Sequence, residues 1–283
     1  MITSSSNQQI KDIMQLQKKS KTRWQQRVFV VEGPRMVAET PRELVQKVYL
    51  SESFRREKLS GDRDCSAVRA GAGEQDSDGM RNMDWKQWLE NYEYEIVSDS
   101  VFSAVSDTKT PQGILCLVRM PEYALADLLK SECPHLLLLE SIQDPGNLGT
   151  MLRTGEGAGV DGIIMNRSTV DLFNPKVIRA TMGSLYRVPF VLVDDLAETA
   201  GTLKRHGITL YAAHLKGTET YDTPEYTKGT AFLIGNEGNG LSDETAALAD
   251  KYIRIPMEGK VESLNAAIAA TLLMYEVHRQ RRK

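Results

Sequence analysis

The sequence is poor in cysteine and histidine, the residues from which zinc sites and disulfide frameworks are built. Its three cysteines, Cys65, Cys116 and Cys133, are widely spaced, form no C-x-x-C pair, and are accompanied by only four histidines. A structural zinc site or a set of disulfides is therefore not expected. We expect reduced thiols and no bound metal.

Long apolar runs and a strong excess of charge are also missing. No run reaches the roughly 18 to 20 apolar residues of a membrane span, and the opening MITSSSNQQIKD has no apolar stretch of the kind found in signal peptides. A net charge of −3 excludes a uniformly basic coat but leaves room for a local basic patch. These features predict a cytoplasmic protein without a membrane partner.

The chain has the length and composition of a folded protein with two domains. It has 283 residues, of which 41% are hydrophobic and 26% charged, and this length exceeds one typical domain. The strand pattern GILCLVRM at 113–120 closes the first part. We predict a first domain over 1–120, a linker with a short helix over 121–134, and a second domain over 135–283.

The stretch 60–80 is rich in Gly, Ser and Asp, and this composition predicts a mobile surface insertion.

Basic residues are concentrated near the N-terminus. Before residue 32, six lysines and arginines meet one acid, Asp12. Apolar spacing over 10–17 predicts an amphipathic helix, and RVFVV at 27–31 predicts a strand. The basic cluster fits two interpretations equally well, a solvated helix face or a phosphate-binding surface for a polyanion. Its candidate RNA-binding residues are Lys18, Lys19, Lys21 and Arg23.

From residue 135 onward, apolar strand patterns alternate with helical ones. The candidate strands are 135–140, 162–166, 189–193, 209–215, 230–236 and 252–257. The candidate helices are 147–157, 175–184, 195–206, 243–249 and 263 to about 281. Nearly continuous apolar strands separated by helices predict a parallel sheet covered on both faces. In such folds, ligands bind at the carboxyl ends of the strands.

The first stretch that could carry chemistry is DPGNLGTMLRTGEGAG at 144–159. Asn147 is a predicted helix N-cap, and the apolar residues after it form one stripe. At 100° per residue, Arg153 points roughly 140° away from that stripe, so it is exposed or faces a partner. The glycines lack the G-x-G-x-x-G spacing of a dinucleotide-binding turn. We therefore disfavour a nicotinamide-dependent oxidoreductase.

Two further stretches follow. FLIGNEGNGLSDE at 232–244 is a strand that leads into a glycine-rich turn around Glu237, where the backbone can approach a ligand closely. IRIPMEGKVESLNAAIAATLLMYEVHRQ at 253–280 predicts a helix with Ser263 as N-cap. That helix is apolar nearly all round from Ala266 to Tyr275 and is therefore predicted to be buried. It fits an ordinary core helix as well as a subunit interface.

Taken in order, N-x-G-x-x-x-R, I-G-x-E-G-x-G and I-P-M-x-G-x-x-x-S-L-N-A-A-x-A resemble the three motifs of the SpoU (TrmH-like) family of the SPOUT superfamily. Members are S-adenosylmethionine-dependent methyltransferases that modify the ribose 2′-hydroxyl of RNA. The resemblance covers about 135–282. The first 120 residues resemble, more weakly, the small α/β ribosomal-protein-like domain that precedes the catalytic domain in rRNA-modifying members.

The resemblance implies an α/β fold whose parallel sheet ends in a deep trefoil knot, with S-adenosylmethionine bound on the knot loops and a homodimer formed through the knotted domain. The cofactor-binding residues that it implies are Gly235, Glu237, Gly238, Ile255, Met257, Ser263, Leu264, Asn265 and Leu215. The catalytic residues that it implies are Arg153, Asn147, Ser263, Asn265 and Glu237. No metal is needed for this chemistry.

Arg153 matches the arginine that the family places beside the target ribose, where it is assigned as a general base. A guanidinium stays protonated in proteins, so we expect Arg153 to bind an RNA phosphate and the nascent alkoxide electrostatically. The expected partner is RNA and not DNA, with large-subunit rRNA favoured over tRNA by the added N-terminal domain. A tRNA enzyme and a non-catalytic RNA-binding protein of the same fold are the alternatives. The basic end HRQRRK fits a helix C-terminus and RNA contact equally well.

Overall fold

The computed structural model describes residues 1–59, 83–261 and 263–282. The chain divides into two compact units, Met1–Pro121 and Glu122–Lys283. Cys65 and the insertion predicted at 60–80 lie outside the described residues. Within the part that is described, no helix is long and apolar enough to cross a membrane, and no group of three or more His, Cys, Asp or Glu side chains could hold a metal ion.

The N-terminal unit is a small α/β domain built on one mixed sheet. Along the chain it contains α1 (Gln8–Lys18), α2 (Ser20–Gln26), β1 (Val28–Glu32), α3 (Pro34–Glu39), β2 (Val45–Ser51), α4 (Glu52–Leu59), α5 (Trp85–Leu89), β3 (Tyr94–Val97), α6 (Asp99–Val105) and β4 (Ile114–Arg119). The sheet order is β1-β4-β2-β3. β4 pairs antiparallel with β1 and with β2, whereas β2 and β3 are parallel.

Helix α1 forms because its apolar residues fall on one face. Ile10, Ile13 and Leu16 are buried against the sheet, and the Asn7 side chain accepts from the Gln9 amide to cap the first turn. The amphipathic helix and the following strand are thus confirmed. Its polar face leaves Lys18 exposed at the C-terminal end of the helix.

The C-terminal unit is built on a parallel sheet. Its elements are β5 (His135–Leu139), α7 (Pro145–Ala158), β6 (Gly162–Asn166), α8 (Pro175–Thr181), β7 (Phe190–Val193), α9 (Leu196–Arg205), β8 (Thr209–Ala213), β9 (Glu219–Thr220), β10 (Thr230–Ile234), α10 (Asp243–Ala246), β11 (Lys251–Arg254) and α11 (Ala266–Arg281). The strand order is β7-β6-β5-β10-β8-β11-β9. Every pairing between neighbours in this order is parallel.

The centre of this sheet is buried on both faces, as its apolar runs predict. Leu136 to Leu139 of β5 are fully inaccessible, and so are most residues of the adjoining β6 and β10. The parallel sheet is therefore confirmed. β8, β10 and β11 end earlier than predicted, because the residues at their carboxyl ends leave the ladder and line a cavity.

A short 3-10 helix at Leu125–Leu129 precedes β5, within the stretch predicted as a linker. Its Leu128 is buried and packs against Gly162, where an added Cβ would lie 2.2 Å from the Leu128 Cγ. Residues from Glu122 onward therefore belong with the C-terminal unit by their packing.

Candidate functional site

A cavity of about 340 Å³ opens at the carboxyl ends of β8, β10 and β11. Its lining comes from the loops after these three strands and from the start of α11. Eight of the residues predicted to bind the cofactor line it: Leu215, Gly235, Glu237, Gly238, Ile255, Met257, Ser263 and Leu264. Asn265, the ninth, lies at the start of α11 and donates a hydrogen bond to Asn147 in the first turn of helix α7 instead.

The turn after β10 requires glycine at two positions. Asn236 and Gly240 exchange backbone hydrogen bonds of 3.0 and 2.9 Å, which closes the turn. A Cβ on Gly235 would lie 2.1 Å from the Gly240 carbonyl carbon, and Gly240 itself has a φ of 71°. A side chain on Gly235 would force the two arms of the turn apart, and a side chain on Gly240 would be strained at this positive φ. The two glycines therefore leave backbone exposed on this part of the cavity wall.

The rim of the cavity is apolar and open to solvent. The side chains of Leu215 and Met257 are 73% and 36% exposed, and Val261 nearby in the chain is 62% exposed. The loop that carries Leu215 is closed by a 2.9 Å hydrogen bond from the Gly217 amide to the His214 carbonyl. An apolar rim over a backbone-lined wall suits a flat ligand with a few polar groups.

Glu237 connects the turn after β10 to the turn after β5. Its Oε1 accepts from the Asp144 amide at 3.0 Å and from Asn147 Nδ2 at 2.9 Å, and its Oε2 accepts from the Gln143 amide at 3.0 Å. Burial alone would raise the pKa of Glu237, but these hydrogen bonds outweigh it and lower the pKa below its ordinary range. The carboxylate is therefore ionised at neutral pH and holds the two turns together.

The prediction that Asn147 caps helix α7 is wrong. The N-cap is Asp144, whose side chain accepts from the Asn147 amide at 2.8 Å. Pro145 occupies the first helical position, for which its fixed φ is suited, so the helix begins before Asn147. Asn147 is 9% exposed. Its Nδ2 donates to Glu237, and its Oδ1 accepts from Asn265 Nδ2 at 2.9 Å.

The N-cap of α11 is Asn265, and the prediction of Ser263 was wrong. The Asn265 Oδ1 accepts hydrogen bonds from the backbone amides of Ala267 and Ile268. These amides lie in the first helical turn and have no partner within the helix, so the bonds cap it. Ser263 lies two residues before the cap, is exposed and lines the cavity. Through Asn265, Asn147 and Glu237, side-chain hydrogen bonds join all three sequence motifs.

Arg153 is exposed on α7, on the side away from the buried Leu148, Met151 and Leu152, as its helical phase predicts. It does not line the cavity of its own chain. Hydrogen bonds join Asn147, Asn265 and Glu237, and Arg153 belongs neither to this set of bonds nor to the cavity lining.

Helix α11 is buried on one side only, so the prediction of burial all round was wrong. Its inner face packs on α7, where Thr271 Oγ1 donates to Thr154 Oγ1 at 3.3 Å and Met274 is fully buried. Ile268 and Tyr275 on the outer face are 51% and 44% exposed. An exposed isoleucine and tyrosine on one helix form an apolar surface that the described residues 1–59, 83–261 and 263–282 leave uncovered.

The predicted basic cluster is divided by the structure. Lys18, Lys19 and Lys21 are exposed where α1 meets α2. Arg23 is only 3% exposed, and its Nη1 donates to the carbonyls of Leu16 and Gln17 at 2.5 and 3.0 Å. We therefore correct its assignment, because a buried guanidinium bonded to the end of α1 is a structural residue.

The basic end of α11 is likewise tied to the protein. Arg281 donates from three nitrogens to the carbonyls of Tyr226, Cys133 and Lys228. Arg279 forms an ion pair with Glu276 at 2.7 Å. These two arginines stabilise the end of the helix, which favours the structural interpretation of this segment.

Two known domain families match the chain. The SpoU rRNA Methylase family matches residues 134–275. The MRM3-like substrate binding domain matches residues 7–116.

Full-length relatives are similar to both units. The 23S rRNA (guanosine(2553)-2′-O)-methyltransferase RlmP of Bacillus subtilis (strain 168) is 31% identical over 278 residues, which is 98% of each chain. The AdoMet-bound rRNA methyltransferase from Sinorhizobium meliloti matches with a TM-score of 0.78 and 27% identity, over 100% of this chain and 98% of that one. The SpoU methyltransferase AviRb from Streptomyces viridochromogenes, in complex with AdoMet, matches with a TM-score of 0.78 and 25% identity, over 97% of this chain and 98% of that one.

Proposed function

The chain belongs to the SpoU rRNA methylase family, and from this premise we propose that it methylates one guanosine ribose of 23S rRNA in the cytoplasm. It is an S-adenosylmethionine-dependent RNA ribose 2′-O-methyltransferase. The observation that carries the proposal is the cavity on which eight of the nine predicted cofactor-binding residues converge. The guanosine is proposed from the substrate in the name of the Bacillus relative, which aligns with nearly the whole chain.

The cavity fits the methyl donor by size and chemistry. Its volume of about 340 Å³ lies in the range of roughly 300 to 1,000 Å³ typical of small-molecule sites. Backbone groups of the turn after β10 can bond to polar atoms of the ligand, and the apolar side chains of Leu215 and Met257 can cover an adenine ring. When bound, S-adenosylmethionine supplies an activated methyl group on a sulfonium centre.

The residues of the chain orient the RNA ribose and stabilise the charge that develops on it. Asn265, Asn147 and Glu237 hold the start of α7 against the cavity wall through bonds of 2.9 Å. Ser263 lies on the cavity beside them and is proposed to help position the ribose. Arg153 supplies a fixed positive charge that can bind an RNA phosphate and stabilise negative charge on the 2′ oxygen. The 2′ oxygen bonds to the methyl carbon as the bond from that carbon to sulfur breaks, S-adenosylhomocysteine leaves, and the hydroxyl proton passes to water.

We propose that the active form is a homodimer. Within one chain Arg153 is not among the residues that line the donor cavity, whereas α11 carries the exposed Ile268 and Tyr275 next to α7. Pairing of these helices between two copies would cover the apolar surface. The partner subunit's Arg153 would then complete the site.

The remaining features of the fold are proposed on the family resemblance. In the sheet, β10 lies between β5 and β8, and the cavity is lined by the loops after β8, β10 and β11 together. Such an arrangement is compatible with a deep trefoil knot in the C-terminal unit. The N-terminal unit is proposed to be ribosomal-protein-like and to bind the rRNA.

We propose that Lys18, Lys19 and Lys21 contact the RNA backbone. They are exposed together at the junction of α1 and α2, and each phosphate contact contributes about 0.7 to 0.9 to the slope of log affinity against log salt concentration. Replacing all three by alanine should lower that slope by up to roughly 2 to 3 and weaken binding. An unchanged slope would assign these lysines to the solvated helix face.

The function is tested by mapping ribose methylation in 23S rRNA and tRNA from cells with and without the gene. We expect one 2′-O-methylguanosine of 23S rRNA to disappear with the gene and to be restored by the purified protein with S-adenosylmethionine. Loss of a methyl group from tRNA instead would support a tRNA enzyme. Unchanged methylation in both RNAs would overturn the proposed activity.

A further inference from the structure

Ser141, at the carboxyl end of β5, has an unusual backbone conformation. Its φ of 56° is one of three positive values at non-glycine residues in the part of the chain that is described. Residues with a side chain seldom adopt this conformation, and they keep it where neighbouring groups impose it. Ser141 begins the turn that leads to Asp144 and α7, so its conformation sets the path of the chain into the proposed RNA-binding helix.

Two asparagines from the neighbouring strands hold Ser141. On one side, Asn166 at the end of β6 accepts from the Ser141 amide at 2.9 Å and donates to its Oγ at 3.1 Å. On the other side, Asn236 after β10 donates from Nδ2 to the Ser141 carbonyl at 2.8 Å. The order β6-β5-β10 makes this possible, because parallel strands end at the same edge of the sheet.

The other end of the Asn236 side chain is bonded to the cofactor turn. Its Oδ1 accepts from the amide of Gly238 at 2.9 Å and from the amide of Asn239 at 3.1 Å. Both of these residues line the cavity. One planar amide therefore connects the backbone of the cofactor turn to the backbone of the turn that begins at Ser141.

We propose that Asn236 is a positioning residue that couples donor binding to the conformation of the Ser141–Asn147 turn. The inference rests on the proposed function, since it takes the cavity as the donor site. A ligand that contacts Gly238 and Asn239 reduces the motion of the cofactor turn. Because Asn236 is hydrogen-bonded to both turns, the motion of the Ser141 carbonyl is reduced as well. By linkage, RNA that binds the ordered turn strengthens donor binding by the same factor.

Glu237, the next residue, also connects the two turns, because its carboxylate accepts hydrogen bonds from the backbone amides of Gln143 and Asp144. Asn236 is the one of these two side chains that donates to the Ser141 carbonyl, and a substitution can remove this donor alone. An aspartate at position 236 keeps an oxygen for Gly238 and Asn239 but loses the donor to Ser141, so it separates the two turns while it leaves the cofactor turn intact.

The test is hydrogen exchange of the wild-type chain and N236D, with and without S-adenosylhomocysteine. In the wild type, the ligand should slow exchange both at 236–241, which lines the cavity, and at 141–147. In N236D, protection at 236–241 should persist, whereas the ligand-induced slowing at 141–147 should fall by about fivefold or more, the lower end of typical coupling factors. N91D is the matched control, because it makes the same chemical change at an exposed residue of the N-terminal unit.

A second variant keeps the test decisive if N236D folds poorly. N166A removes both the acceptor for the Ser141 amide and the donor to its Oγ without touching the cofactor turn. It should therefore speed exchange at 141–147 and, by linkage, weaken S-adenosylhomocysteine binding. Faster exchange at 141–147 with unchanged S-adenosylhomocysteine affinity would overturn the inference. Equal ligand-induced slowing at 141–147 in the wild type and N236D would overturn the inference alone. Failure of the wild type to bind S-adenosylhomocysteine would overturn the proposed function and the inference with it.

Discussion

Replacing Glu237 by glutamine tests whether the carboxylate joins the two turns of the site. Glutamine has the same length but one acceptor oxygen, so one of the two oxygen positions becomes an NH₂ group that faces backbone or side-chain N–H donors. If its oxygen keeps the bonds to Asp144 and Asn147, the bond from the Gln143 amide is lost. A bond to a charged acceptor contributes about 1.5 to 3 kcal/mol. Because Glu237 is partly exposed to solvent, we discount this to about 1 to 2 kcal/mol.

A loss of about 1 to 2 kcal/mol corresponds to a factor of roughly 5 to 30. Urea titration at about pH 7 should show this drop in the free energy of unfolding, and single-turnover methyl transfer should slow by a similar factor if the same bonds hold the turn during reaction. E132Q provides the control, since Glu132 is exposed in the same unit.

The pH dependence provides the refuting measurement. The hydrogen bonds lower the pKa of Glu237 in the folded protein even though burial opposes them. Its stabilisation is therefore complete above the unfolded-state value of about 4.3 and is lost as the pH falls through the lower folded-state value. The difference between wild type and E237Q should shrink in strongly acidic solution. If wild type and E237Q had the same free energy of unfolding at neutral pH, the carboxylate would not hold the turns. The same conclusion would follow if the difference between them were equal at neutral and at strongly acidic pH.

The other predictions concern single residues in both units. Arg153→Ala should leave donor affinity near normal in calorimetry and abolish methyl transfer; substantial remaining activity would contradict its role. Arg23→Ala should destabilise the protein by about 2 to 3 kcal/mol in urea titration, because buried carbonyls at the end of α1 lose their donor. Gly149→Ala should cost about 1 to 3 kcal/mol by pushing α7 from α8, whereas Gly201→Ala, whose Cβ would meet only the Arg205 guanidinium at 3.5 Å, should not destabilise. Burial, assisted by nearby cations, lowers the pKa of His135 to about 3, so stability should fall by up to about 1.4 kcal/mol per pH unit below about pH 6.5, and a His135→Phe variant should lack that slope.

Periodicity predicted the elements of the sheet well because burial there follows from local sequence. The run LLLL in β5 has no polar face, and a strand without a polar face must be covered on both sides, which makes the parallel sheet predictable. The outward direction of Arg153 follows from helical phase in the same way. Helix ends were harder to place. Asp144 and Asn147 are both good capping residues, and the choice between them depended on Pro145.

The partners of the site residues could not be predicted from local patterns. The bond from Asn147 to Glu237 joins residues 90 apart in the chain, and the bond from Asn265 to Asn147 joins residues 118 apart. Arg23 looked like its exposed lysine neighbours because nothing local shows that its guanidinium folds back on the carbonyls of α1. The conformation of Ser141 has no signal in its residue type, since serine seldom adopts a positive φ. Asn236 lies within the second motif, but its proposed role follows from its hydrogen bond to the Ser141 carbonyl, which no local pattern predicts.

These long-range bonds follow from the order of the strands. The first motif follows β5 and the second follows β10, and these strands are neighbours whose carboxyl ends meet at one edge. The third motif begins α11, which packs along α7. Asn147 lies in the first turn of α7, where the edge of the sheet and the start of α11 come together. A residue there can bond to both, so the same sheet edge that forms the cavity proposed to hold the cofactor also fixes the helix proposed to face the RNA. The proposed donor and RNA sites therefore share one set of hydrogen bonds, and a substitution in the loops of one site should alter binding at the other.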